Sequence, residues 1–224
     1  GILKIGTNLS LSPIANTEGL VGYWKFDEET GTTATDSSGN NNTGTLTNGP
    51  SWTSGKVGDA LSFDGSDDYV VVPHSEILDP GTHDFSISAW IKTSSAAGYI
   101  LHKYYNVDRW WLSIYSGKAR AYFWDEGCEK IDMVGSQNLT DDTWHHVGAT
   151  LKVGDYAMLY VDGQIAAVSS ETWNASILNN RRDLHIGRKS VPSEGFFSGL
   201  IDDVRIYNHA LSAAEIQAIY NAQK

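Results

Sequence analysis

The chain has 224 residues, 41% hydrophobic and 19% charged, a composition that belongs to globular rather than disordered proteins. A formal charge of −11, from 16 basic against 27 acidic side chains, argues against nucleic acid as a partner, because phosphate binding needs a basic footprint. The lone cysteine, Cys128, excludes an intrachain disulfide and reads as a free structural thiol, and no apolar run approaches the roughly 18 residues that cross a bilayer.

Residues 1–18 carry Asn, Thr and Ser without a period and are expected to be a linker or N-terminal extension, or a first strand laid along the domain. The chain opens without Met, so it is expected to be a piece of a longer protein or a mature form. Leu20–Phe26 is the first predicted strand, and residues 30–50 form a loop too polar for the core. Strands follow at 60–63 and 69–72 around the Asp64–Asp68 turn, and Phe85–Ile91 alternates with Phe85, Ile87, Ala89 and Ile91 on one face. Further strands are predicted at 99–103, 110–115, 119–124, 145–151, 157–161, 164–169, 184–187 and 199–207. Asp162-Gly163, between two apolar runs, marks a two-residue hairpin whose central residues need positive φ. Ser212 with Glu215 forms a capping box, and Ile216, Ile219 and Tyr220 follow at helical spacing, predicting one helix over 212–221. Many short strands at regular spacing predict an all-β, antiparallel two-sheet β-sandwich or jelly roll with one short C-terminal helix, a single domain over 19–224.

The densest chemistry lies between residues 102 and 124. Period two places Trp110, Leu112, Ile114, Ala119, Ala121 and Phe123 on one face, toward the core. Trp111, Tyr115, Arg120, Tyr122 and Trp124 share the other face, with His102, Tyr104 and Arg109 nearby. Aromatic rings beside Arg and His suit a sugar, whose C–H face stacks on a ring while its hydroxyls meet the polar groups. The alternative is that these rings lie beneath loops 125–140 and 171–183. Trp173, Arg181 and Arg182 border the same region, where the arginines suit an acidic sugar or belong to a solvated loop.

Residues 36–42 place Asp36, Asn40 and Asn42 at alternating positions around Gly39, a pattern that suits either Ca2+ or a turn shaped by side chain-to-backbone bonds. Asp64, Asp67 and Asp68 form a second such cluster, closer to ordinary turn chemistry; Asp27 and Glu28 are weaker candidates. No strand carries two Glu at the spacing of a sandwich glycosidase, and His145-His146 point to opposite faces as strand neighbours, so no catalytic residue is assigned. Trp24, Trp90 and Trp144 read as structural, and Trp52 as a loop residue.

The stretches LVGYWKFDE (20–28), DSSGNNNTG (36–44), GDALSFDG (58–65), FSISAWI (85–91), WHHV (144–147), LYVDG (159–163) and GLIDDVRIY (199–207) occur in this order. Together they resemble the laminin-G-like, concanavalin A-like jelly roll domains of modular bacterial extracellular proteins. That resemblance implies a non-catalytic, lectin-like, polysaccharide-binding module of a larger secreted or surface protein, covalently linked to other domains. It also implies a structural Ca2+, and places the 36–42 loop near Asp202 and Asp203, one of which would reach a rim metal while the other faces solvent. The rival expectations are an adhesion or spacer domain binding protein or nothing, and, last, a glycosidase.

Overall fold

The computed structural model describes residues 17–105, 108–124, 130–169, 171, 181–190 and 194–224. The expectations for residues 1–16, Cys128 and Trp173 lie outside the described residues. In chain order the strands are β1 (Leu20–Trp24), β2 (Thr33–Ala34), β3 (Gly44–Thr47), β4 (Ser51–Ser54), β5 (Asp59–Asp64), β6 (Tyr69–Val72), β7 (Phe85–Lys92) and β8 (Ala97–Tyr105). They continue as β9 (Asp108–Tyr115), β10 (Lys118–Trp124), β11 (Lys130–Val134), β12 (Trp144–Leu151), β13 (Ala157–Val161), β14 (Gln164–Val168), β15 (Leu184–Ile186) and β16 (Ser198–Tyr207). One helix, α1 (Ala213–Gln223), closes the chain.

The strands form two 8-stranded antiparallel sheets. The first runs β14-β13-β12-β7-β16-β5-β4, with β1 also paired to β16; the second runs β11-β10-β9-β8-β15-β6-β3-β2. The alternation explains the stacking: Phe85, Ile87, Ala89 and Ile91 of β7 and Leu112, Ile114, Ala121 and Phe123 of β9 and β10 belong to one buried apolar core. This is the jelly-roll sandwich predicted above. At the β13–β14 turn, Asp162 (φ 51) and Gly163 (φ 75) both adopt the left-handed conformation expected of the Asp-Gly pair.

Four strands escape the sequence pattern. Residues 30–50 are not merely a polar loop: β2 and β3 lie there, with Ala34 and Leu46 buried in the core. Trp52 lies on β4 and donates its Nε1 to the carbonyl of Gly31. Residues 130–134 form β11, which pairs with β10 and widens the sheet instead of covering it. Such short strands at or near sheet edges bury at most two residues each, too few to stand out from the polar sequence around them.

The helix starts at its expected cap: Ser212 accepts from Glu215 N, and the Glu215 carboxylate accepts from Ser212 N at 2.7 Å. Ile216 and Ile219 bury against Tyr160, Tyr207 and Leu211, which fixes α1 to the outer face of the first sheet.

Candidate functional site

The outer face of the second sheet is built by two hairpins. Ser116 (φ 50) and Gly117 (φ 76) make the tight β9–β10 turn and lock its register, which places Trp111 opposite Tyr122 and Arg109 opposite Trp124. The β8–β9 pairing sets His102 opposite Trp111 and Tyr104 opposite Arg109, and β11 adds Asp132 beside Tyr122. A row His185–His102–Trp111–Tyr122–Asp132 therefore crosses five strands, with a second row Tyr104–Arg109–Trp124 beside it. Strand parity has brought these rings together on the side away from the core.

Their orientation departs from a stacking platform. Trp111 and Tyr122 stand face to face, centroids 4.0 Å apart and 4° from parallel, and His102 stacks on Trp111 at 5.6 Å and 22°. Flat rings projecting from adjacent strands at sheet spacing stack on each other, so the faces expected to receive a sugar are occupied. Trp111 and Tyr122 are buried, at 9% and 6% exposure. His102 is sealed as well: its Nδ1 accepts from Ser190 N at 3.1 Å and meets Ser190 Oγ at 2.9 Å. Burial, reinforced by the positive charges of Lys189, Arg109 and Arg188, lowers its pKa to about 3. It is therefore a neutral positioning group rather than a hydroxyl partner.

Arg120 is also committed. It grips both oxygens of Asp132, Nε–Oδ1 at 2.8 Å and Nη2–Oδ2 at 2.7 Å, while lying 4.7 Å over the ring of Tyr115. Tyr115 is 51% exposed, and Tyr104 and Trp124 are half-buried. The guanidinium of Arg109 sits 3.7 Å from the Trp124 ring centroid and 5.4 Å from that of Tyr104. Among the described residues, Arg109 Nε, Trp111 Nε1 and Trp124 Nε1 are buried without an acceptor. Arg181 is exposed, and its charge bears on His74.

Tyr99 and His185 belong to the same face and were not anticipated. Alternation would put Tyr99 opposite in sense to His102, but a register shift between Tyr99 and Leu101 turns both outward, and their rings meet at 5.0 Å. The adjacent core residues Ile100 and Leu101 were the available signal.

The expected calcium ligands are arranged differently. Both oxygens of Asp36 are filled by donors: Oδ1 by Tyr23 N and Ser38 N, Oδ2 by Asn42 N and Ser38 Oγ, each at 2.9 Å. Asn40 and Asn42 turn amide N–H groups to the Val21 carbonyl. This is a turn shaped by its own side chains. Asp202 and Asp203 are both buried, so neither faces solvent as alternation required. A bulge between Asp202 and Arg205, with Asp203 at φ 48, breaks the period. Asp202 Oδ2 accepts from Lys56 N and Val57 N, while Asp203 binds Tyr23 OH, Arg205 and Gln223. Asp36 and Asp203 already spend their oxygens on N–H and O–H donors, Asp202 keeps only Oδ1 without one, and a guanidinium lies beside Asp203, a lining that does not fit a cation. Asp64, Asp67 and Asp68 do gather within 4.8 Å, but Asp64 Oδ1 accepts from Ser66 N and Asp67 N as in an ordinary turn.

A family model described as the concanavalin A-like lectin/glucanases superfamily matches residues 64–217. The chain belongs to this superfamily. Comparison with curated proteins returns no match. Among solved structures, this superfamily member resembles the binding domain of Paraclostridial Mosquitocidal Protein 1, with a TM-score of 0.77 and 19% identity over 92% of the chain. It also resembles the binding domain of Botulinum Neurotoxin DC in complex with SialylT, with a TM-score of 0.73 and 18% identity over 93% of the chain. It spans about half of each of those two structures, 52% in both cases. A third similar structure is domain 4 of AbnA, a GH43 extracellular arabinanase from Geobacillus stearothermophilus, in complex with arabinotriose. There the TM-score is 0.69 and the identity 19%, over 90% of this chain and 98% of that one. At these identities the likeness establishes the fold.

Proposed function

We propose that this chain is a non-catalytic carbohydrate-binding module of a larger secreted or surface protein, and that it meets its glycan on the outer face of β8, β9 and β10. The observation that carries this reading is the Tyr104–Arg109–Trp124 row. It is an aromatic and cationic strip on the face turned away from the core, with buried N–H donors of Arg109, Trp111 and Trp124 that find no acceptor among the described residues. An unmet buried donor costs about 1–3 kcal/mol, so a hydroxyl-rich ligand that supplies acceptors gains accordingly. Two structural neighbours support the same reading: a neurotoxin binding domain in complex with SialylT and an arabinanase domain in complex with arabinotriose. The ring contacts fall to Trp124, Tyr104 and the exposed Tyr115, while Trp111 and Tyr122 hold the strip in place. No step of this reading needs a metal ion. No helix among the described residues is long and apolar enough to cross a membrane.

The test is affinity electrophoresis in gels containing individual plant and microbial polysaccharides. The parent protein is expected to be retarded by at least one of them, and Trp124→Ala to migrate freely while keeping its far-UV circular dichroism and a cooperative thermal transition. Free migration of the parent in every gel overturns the reading and leaves an adhesion or spacer domain.

A further inference from the structure

Paired cations recur in this acidic chain. Arg120 is held by Asp132, Arg205 by Asp203, Lys103 by Asp79, Lys152 by Asp84 and Lys189 by Glu194. Arg109 has no acidic partner among the described residues. It lies against three rings there, with Trp124 at 3.7 Å, Tyr104 at 5.4 Å and Tyr122 at 6.0 Å. Aromatic faces orient a guanidinium without neutralising it, so its planar fork of donors stays charged and ready for a bidentate acceptor. The one acid that the β11 pairing places on this face, Asp132, already spends both oxygens on Arg120.

The surroundings point the same way. His102, one strand from Arg109, feels the positive charges of Lys189, Arg109 and Arg188 on top of its burial. Against this stands the overall charge of −11, which repels anions at long range. Screening decides between them: at physiological salt the Debye length is about 8 Å, so distant carboxylates fade while a charge in direct contact does not.

We propose that the ligand of this face is an acidic glycan, and that Arg109 is the specificity-determining residue that receives its carboxylate or sulfate while the neighbouring sugar ring packs beside Trp124. This inference rests on the carbohydrate-binding reading above. The anionic group would accept two N–H bonds from the guanidinium in its plane, a contact that a neutral sugar cannot repay.

The experiment is a printed array carrying neutral, uronate-containing, sialylated and sulfated glycans, probed with the parent protein, Arg109→Gln and Arg109→Lys. Hits are then titrated by calorimetry at 50 and 300 mM NaCl. Acidic glycans are expected among the binders, at least about tenfold tighter than their neutral counterparts of equal length, with the advantage shrinking at high salt. Arg109→Gln is expected to abolish that advantage by weakening acidic glycans far more than neutral ones, and Arg109→Lys to retain part of it. Which acidic class binds separates a carboxylate from a sulfate ligand. Binding confined to neutral glycans, or an acidic preference untouched by Arg109→Gln, overturns this inference and leaves the carbohydrate reading intact. Silence across the array overturns both. Thermal midpoints of the variants show that each is folded, and the salt dependence of the parent protein tests the charge independently of any substitution.

Discussion

Trp111 and Tyr122 face each other across neighbouring strands with their ring planes 4° from parallel and centroids 4.0 Å apart. Each ring therefore spends its apolar face on the other. Trp111→Ala is expected to lower stability by about 2–4 kcal/mol in urea unfolding, and Tyr115→Ala, at an exposed ring, by less than about 0.5 kcal/mol. A double-mutant cycle on Trp111 and Tyr122 should give a coupling of about 0.5–1.5 kcal/mol. Additive losses would mean the rings do not support each other.

Asp202 is fully buried, with Oδ2 on two backbone N–H groups and Oδ1 unpartnered, and burial pushes its pKa from 3.8 up to about 7. The native state thus keeps a proton that the unfolded chain releases near pH 4. This group's contribution to stability is full below the unfolded value and is lost as pH rises toward 7. Asp202→Asn is expected to be more stable than the parent at pH 8 by on the order of 2–4 kcal/mol, with the gap closing near pH 4. Denaturant midpoints at the two pH values measure it; equal midpoints at pH 8 would contradict it.

The histidines divide by environment. Burial lowers His102 and His146 to about 3 and His185 to about 4. These three contribute stability above the ordinary value of 6.5 that is lost as pH falls toward their folded values. His145 goes the other way: its hydrogen bond to Asp162, 2.9 Å from Nδ1, raises its pKa, so its contribution is present at low pH and lost as pH rises past the raised value. Imidazole NMR titration should show His145 half-protonated above pH 6.5 and the other three still neutral at pH 5. A buried histidine titrating near 6.5 would refute the packing described for it.

Asp36 carries a structural load. Its carboxylate accepts three backbone N–H groups and one hydroxyl and ties the 36–42 turn to β1. Asp36→Ala is expected to cost about 2 kcal/mol or more, because buried N–H groups would lose their acceptor. Adding a chelator to the parent protein should leave its thermal midpoint unchanged. A drop of several degrees on chelation would restore calcium to the argument.

Strand parity over 109–124 could be read without coordinates, because the Ser116-Gly117 turn fixes register and register fixes which side chains share a face. The capping box at Ser212 and the Asp162-Gly163 turn were equally legible, since each depends on neighbours in sequence. The bulges at Tyr99 and Asp203 were not, because the extra residue in a strand is set by its partner strand. For the same reason the buried roles of Ala34 and Leu46 were hidden in polar surroundings.

By itself, then, the sequence determined the sandwich, the direction in which Trp111, Tyr122 and Trp124 point and the cap of the last helix, all consequences of local conformational preference and period-two geometry. Only the tertiary structure decided what those side chains do. It stacked Trp111 on Tyr122, tied Arg120 to Asp132, filled Asp36 with N–H donors and left Arg109 charged against Trp124. Those outcomes depend on distances between strands, several of them far apart in the chain, and on which donor and acceptor the packing brings within reach. Neither is encoded in the spacing of residues along one strand.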